Sequence, residues 1–249
     1  MDFSVYHTEV LSKLQPLGDP ESVTVARNVI RTQLEVLAIK VPVLREVVKA
    51  GFSFYNLPGD DVLAIWNNIW FTSPYYEVMS AALMYYDLKG KKIAPELWPT
   101  LSTWHQRIEN WAHCDSLASI YSYLLAKLPN EVYRQLQAWN VSNDEWQRRL
   151  SLVSLIHHAG KKTDFLPLDK ILPLVTNCIT DERHYVSRAV GWLLRETAKG
   201  HRSEIRAYIE EHMAQMPSVA FSYAIEHYSP EERKDIVARR RLLRAEKAS

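Results

Sequence analysis

NWAHCDSLASIYSYLLAKL, residues 110–128, is the stretch that decides the fold. At about 100° per residue, Cys114, Leu117, Ala118, Tyr121, Leu124, Leu125 and Leu128 fall on one arc. Apolar residues at i, i+3, i+4 spacing mark the face a helix buries, so the stretch reads as a core helix with Cys114 inside. Asp115, Ser119, Ser122 and Ala126 form a second line roughly 100–170° from the centre of that arc, with Trp111 at its edge, one turn before Asp115. Small residues behind an acid and an indole leave room for a partner to approach closely. Asp115 also has an ordinary explanation, since a carboxylate in a first turn complements the positive end of the helix dipole. Trp111 is harder to explain that way, because a large aromatic off the core arc exposes area that soluble proteins usually bury unless it meets a partner.

Helical periodicity extends outward in both directions. It predicts helices over about 3–15, 20–37, 42–53, 60–71, 74–88, 94–108, 111–128, 130–138, 143–159, 167–178, 183–199 and 202–214, with two more to the end. The 249 residues include only seven glycines and show no alternating strand pattern. Asp19-Pro20-Glu21, Ser73-Pro74 and Ser229-Pro230-Glu231-Glu232 each place a capping side chain before a proline at the first helical position, where its missing N–H costs nothing. About fourteen helices of ten to twenty residues joined by short loops predict an all-α chain, an α-solenoid of antiparallel helix pairs forming one domain over 1–249.

Composition narrows the function classes. A chain that is 47% hydrophobic and 24% charged is not disordered. No apolar run reaches the roughly 18 residues a membrane span needs, and MDFSVYHTEVLSK lacks the basic-then-apolar pattern of a secretory signal. The expected location is therefore the cytoplasm or nucleoid. Cys114 and Cys178 are too few for a disulfide framework, which fits a reducing compartment. Residues 1–125 hold 10 Lys and Arg against 13 Asp and Glu, and residues 126–249 hold 20 against 16, so the basic surplus is C-terminal. Part of it is the run from Arg233 to Lys247, a pattern usual for a solvated helix face.

In the predicted helix at 183–199, Val186, Ala189, Val190, Leu193 and Leu194 form the core arc, and Arg188, Trp192, Arg195 and Lys199 lie nearly opposite. A tryptophan among three cations suits an anionic polymer with an apolar component, the cations neutralising phosphates while the ring packs on sugar or base. A cation–π surface patch and an Arg195–Glu196 ion pair are the alternatives. Trp111, Arg149 and Trp192 are 38 and 43 residues apart, close to the period of about 40 residues in two-helix repeats. That spacing predicts that Trp111 and Asp115, the pair Arg148-Arg149, and Trp192 with its cations line one concave groove.

The stretches NWAHCDSLASIY, EWQRRLSLVSLI and HYVSRAVGWLLRETAKG, preceded by WFTSPYYEVMSAALMYY, resemble in order and spacing the hallmark segments of the AlkD-like DNA alkylation repair family. The similarity spans roughly residues 60–245. The resemblance implies a right-handed solenoid of HEAT-like repeats whose basic concave face holds duplex DNA. It also implies a monofunctional glycosylase that removes cationic alkylpurines such as 3-methyladenine and 7-methylguanine, with no metal or other cofactor and without drawing the base into a pocket. By position, Asp115 resembles the catalytic carboxylate, Trp111 and Trp192 the two tryptophans on the lesion's deoxyribose, and Arg149 the arginine directed at the DNA backbone. Arg188 stands where the family usually has a basic residue, and Arg148 and Lys199 join it as candidate DNA contacts. Active relatives can carry an aromatic in the second N-terminal helix, where ARNVIRTQL offers Asn28, Val29 and Ile30.

These residue types suit that chemistry. A positively charged purine is already a good leaving group, so the barrier lies in the oxocarbenium-like sugar, which a fixed carboxylate stabilises. His113-Cys114 point to different sides of a helix, and His157-His158 are adjacent rather than a turn apart, so neither makes a metal pair. No G-x-S-x-G elbow occurs. A DNA-structure binder without turnover and a helical-repeat protein scaffold remain as alternatives. A monomer is expected, because no long apolar stripe is left over.

Overall fold

The computed structural model describes residues 2–156 and 166–248, and every regular element among them is a helix. Fourteen α-helices are described: α1 (Phe3–Leu14), α2 (Val23–Ile30), α3 (Val41–Ala50), α4 (Gly59–Thr72), α5 (Tyr76–Asp87), α6 (Trp98–Leu101), α7 (Trp111–Lys127), α8 (Pro129–Asn140), α9 (Glu145–Val153), α10 (Leu168–Cys178), α11 (His184–Thr197), α12 (Arg202–His212), α13 (Ser218–Ala224) and α14 (Pro230–Ala248). The all-α expectation is borne out. The chain divides into two units, Met1–Pro129 and Asn130–Ser249.

In the first unit, α7 buries Cys114, Leu117, Ala118, Tyr121, Leu124 and Leu125, as the periodicity predicts, and also His113, Ile120 and Ser122. Each buried leucine contributes roughly 1.5–3 kcal/mol over leaving it exposed. α7 packs on α5, which also contacts α3 and α4. Phe52, Phe54, Tyr55, Trp66 and Tyr85 form one aromatic cluster, and the Trp70 and Trp104 rings stack at 5.1 Å.

Two segments depart from the predicted helices. The helix expected over 20–37 ends at Ile30, because Arg31 adopts a left-handed conformation (φ 57°). Residues 32–39 then run as an extended strap, ending near a second left-handed residue, Ala38 (φ 59°). Carboxylates from elsewhere take its amides: Glu109 accepts from the Gln33 N–H at 3.0 Å, and Glu77 accepts from the Leu37 and Ile39 N–H groups. Tertiary acceptors here replace the i−4 carbonyls of a helix. The strap also delays α5, because Glu35 N–H donates to the Pro74 carbonyl and Tyr76 N–H to Glu35, so the helix expected from residue 74 starts at Tyr76.

The helix expected over 94–108 is a chain of 3-10 turns around the four-residue α6. Pro95 and Pro99 remove donors there, and side chains take two of the carbonyls: Tyr121 Oη donates to Leu101 O at 2.8 Å, and Trp70 Nε1 to Trp104 O at 3.0 Å. By contrast, Ser229 and Glu232 cap α14 reciprocally with Pro230 as its first residue, as expected.

In the second unit, α11 packs against α9, α10 and α13. Ser187 and Gly191, one turn apart, let α13 approach closely. Ala220 N–H donates to Ser187 Oγ at 3.2 Å, and a Cβ on Gly191 would lie 2.3 Å from the Ala220 carbonyl oxygen. Four hydrogen bonds between elements share a separation near one repeat length: Asn67 to Trp104 at 37 residues, Asn140 to Cys178 at 38, Arg149 to Tyr185 at 36 and Arg188 to Tyr223 at 35. That constancy is what stacked helix pairs of similar length produce.

Candidate nucleic-acid interface

α7 starts at a well-made cap. Asn110 is extended (φ −144°, ψ 156°), its Oδ1 accepts from His113 N–H at 2.9 Å, and its side-chain amide lies 3.2 Å from His113 Nδ1. His113 Nε2 lies 3.2 Å from the Tyr76 carbonyl and 2.9 Å from Ser80 Oγ, which fits an Nε2–H donor with Nδ1 accepting from Asn110. The ring is buried and stacked on Tyr76 at 4.4 Å. Burial pushes its pKa down to about 4, so the imidazole is neutral at physiological pH. His113 is thus a structural hub of this end of the helix.

Trp111 and Asp115 follow in the first two turns, both half-buried. The Trp111 indole N–H donates to the Val29 carbonyl at 3.0 Å, which ties the last turn of α2 to the first turn of α7. The line of small residues beyond Asp115 is not open as expected. Ser119 Oγ donates to Asp87 at 2.7 Å, and Ser122 is buried with its hydroxyl on the Ala118 carbonyl. The end of α5 occupies the space beside Ser119 that helical angle alone left empty, while Ala126 at the far end of the line is exposed.

The second unit holds the other candidates. Asp144 caps α9, accepting from Trp146 N–H at 2.7 Å and Gln147 N–H at 3.2 Å. Arg148 pairs with Asp181 (Nε to Oδ2, 2.9 Å) and donates to the Asn177 carbonyl at 2.8 Å. Asp181 also takes a bidentate fork from Arg183. Burial alone would raise the Asp181 pKa, but the Arg183 bonds outweigh it and the net shift is downward. Arg149 is 4% exposed; it donates to the Tyr185 carbonyl at 2.7 Å and lies 5.9 Å from the Tyr185 ring centre. That ring in turn packs against Trp146 at 4.9 Å.

On α11, Arg188 sits over the Tyr223 ring at 5.0 Å and donates to its hydroxyl. Trp192 is half-buried. Arg195 pairs with Glu196 and Glu226, and Lys199 pairs with Glu196, so the ion-pair alternative holds for both. Arg195, Lys199, Arg202, His227 and Tyr228 line a small cleft. Trp111 and Asp115 thus lie one turn apart in the first unit; in the second, Arg148 and Arg149 adjoin on α9, Arg188 and Trp192 lie one turn apart on α11, and Lys199 lies beyond the end of that helix.

Sequence reasoning missed the groups that hold these residues: the Val29 carbonyl, Tyr185 and Tyr223. The two tyrosines follow their arginines by 36 and 35 residues, a repeat-length spacing that pairs Arg with an aromatic and was available as a signal. His157 and His158 lie outside the described residues. Among the described residues, no three His, Cys, Asp or Glu converge as metal ligands would, and no helix is long and apolar enough to cross a membrane.

The fold is shared with solved structures at low sequence identity. A predicted DNA alkylation repair enzyme from Enterococcus faecalis superposes with a TM-score of 0.71 at 14% identity, over 86% of this chain and 97% of that one. AlkD2 from Streptococcus mutans gives 0.58 at 14% identity, over 76% of this chain and 90% of that one. The protein smu.31 from Streptococcus mutans UA159 gives 0.58 at 13% identity, over 76% and 93%. None of the curated protein sequences matches the chain. The sequence model of the family described as DNA alkylation repair enzyme matches residues 10–228, and the chain belongs to that family.

Proposed function

We propose that the protein is a DNA glycosylase for positively charged alkylpurines in duplex DNA, acting as a monomer, with Asp115 as its catalytic carboxylate. The observation that carries this reading is the placement of Trp111 and Asp115 one turn apart at the capped start of α7, with the indole held by the Val29 carbonyl, in a chain of the DNA alkylation repair family. The N-glycosidic bond breaks with its electron pair leaving on the cationic purine, which departs as a neutral base. The deoxyribose left behind is oxocarbenium-like, and the Asp115 carboxylate stabilises it and orients the water that adds to the anomeric carbon and loses a proton. Trp111 supplies a ring face for the sugar, favourable to a developing cation and excluding bulk water, and Trp192 is assigned the same kind of contact by the family resemblance alone.

Arg188 supplies positive charge toward the phosphates, Arg148 and Lys199 are further candidates, and Arg149, 4% exposed on the Tyr185 carbonyl, reaches a phosphate only by exchanging that bond. A phosphate reaching Arg148 must compete with Asp181, and one reaching Lys199 must compete with Glu196, so these two contribute less than their formal charge. The test is release of free base from duplex DNA carrying 7-methylguanine, wild type against Asp115→Asn at matched protein concentration. Release by wild type that falls by ~10²-fold or more in Asp115→Asn, with duplex binding retained, is the expected result. Equal release by both removes Asp115 from its role. No release by either, with salt-sensitive duplex binding intact, replaces the reading with a DNA-structure binder that lacks turnover.

A further inference from the structure

α2 contains no buried residue: Val25 and Val29 are 64% and 62% exposed. Its own packing therefore does not fix its position, and what holds its C-terminal turn is a set of hydrogen bonds converging on residues 109–111. Glu109 Oε1 accepts from the Thr32 hydroxyl and from Asn110 Nδ2, and Oε2 accepts from the Gln33 N–H at 3.0 Å. Thr32 Oγ1 in turn accepts from Leu34 N–H at 3.1 Å, which leaves its own proton for Glu109. Asn110, the third partner, is the cap of α7. The left-handed turn at Arg31 is what swings Thr32 and Gln33 toward Glu109 while leaving the Val29 carbonyl aimed at the Trp111 indole.

We infer that Glu109 is a positioning residue for Trp111: its carboxylate clamps residues 32 and 33 onto the start of α7, so that the Val29 carbonyl fixes the indole beside Asp115. This rests on the reading that Trp111 forms part of the reactive edge. A carboxylate is the side chain the arrangement requires, because three donors meet at two oxygens. Glutamine in its place keeps shape and size but turns one acceptor into a donor facing another donor. The indole is then free to rotate away from the sugar, and misplacement of about 1 Å at such a group slows chemistry more than it weakens binding.

The experiment follows hydrogen exchange of the Trp111 indole N–H by NMR in the full chain, assigned with Trp111→Phe. Glu109→Gln and Thr32→Val are each expected to raise its exchange rate ~10-fold, and Thr32→Ser, which keeps the donor, to leave it near wild type. Thr32→Val stands in if Glu109→Gln does not fold. Unchanged protection in Thr32→Val, or in a folded Glu109→Gln, overturns the proposal. Single-turnover base release gives a second arm. Glu109→Gln and Trp111→Phe, which keeps a ring but cannot donate, should each slow release ~10-fold at unchanged duplex affinity, and the double variant should be no slower than either alone. Multiplicative slowing shows that Glu109 acts independently of the indole and overturns its positioning role. If wild type releases no base, the glycosylase reading fails, while indole exchange still decides the clamp.

Discussion

The start of α7 and the polar face of α11 both present tryptophan beside charge, but they are held by different forces. At α7, directional hydrogen bonds fix the candidates: an Asn cap, a buried neutral histidine, a carbonyl on the indole N–H and the Glu109 carboxylate that ties residues 32 and 33 to the helix start. On α11 and the turn after it, the cations Arg195 and Lys199 are balanced by Glu196 and Glu226. Fixed dipoles hold one geometry at any ionic strength, which suits a transition state. The ion pairs are only partly exposed, but each cation keeps a carboxylate partner that an arriving phosphate can exchange for, which suits a polyanion that arrives and leaves.

The largest expected effect is on the α7 side, the loss of base release in Asp115→Asn described above. Next is the packing that carries α11. Gly191→Ala should destabilise the second unit by about 1–3 kcal/mol, measured by urea unfolding, because the new Cβ meets the Ala220 carbonyl and the Tyr223 Cβ rather than a mobile side-chain tip. Its effect on duplex binding in the folded fraction should follow Tyr223, the partner of Arg188.

The buried histidine gives the α7 side a pH signature of its own. With a folded pKa of about 4 against an ordinary value of 6.5, His113 takes up a proton on unfolding across that interval. Stability from this group is complete above about pH 6.5, falls as pH drops toward 4 and levels off below it, by up to about 3 kcal/mol. His113→Gln should flatten that part of the stability profile; an unchanged slope places the proton uptake elsewhere.

The smallest effect sharpens the comparison from the other side. Glu196→Gln releases Lys199 and leaves Arg195 with Glu226 alone, so duplex affinity should rise a few-fold and the slope of log affinity against log salt should steepen by up to about one. The same substitution should leave the rate of base release from bound DNA unchanged.

What residue spacing determined is the set of faces each helix buries. The α7 and α11 core arcs, the cap before Pro230 and the all-α class follow from local periodicity and capping, which depend on residues within a few positions of each other. The Trp111–Asp115 pair was legible for the same reason, being one turn of one helix. Tertiary structure decided what could not be local. Residues 31–37 have a helix-like pattern, yet Glu77 and Glu109, 40 and 76 residues from the amides of Leu37 and Gln33, convert them into a strap. Ser119 looks open by angle until the end of α5 fills the space, and Trp111 looks like a free indole until the Val29 carbonyl, 82 residues away, accepts from its N–H. A side chain's face is fixed by its own helix, whereas the group that satisfies its polar atoms comes from wherever the chain returns, and no short-range pattern encodes that return.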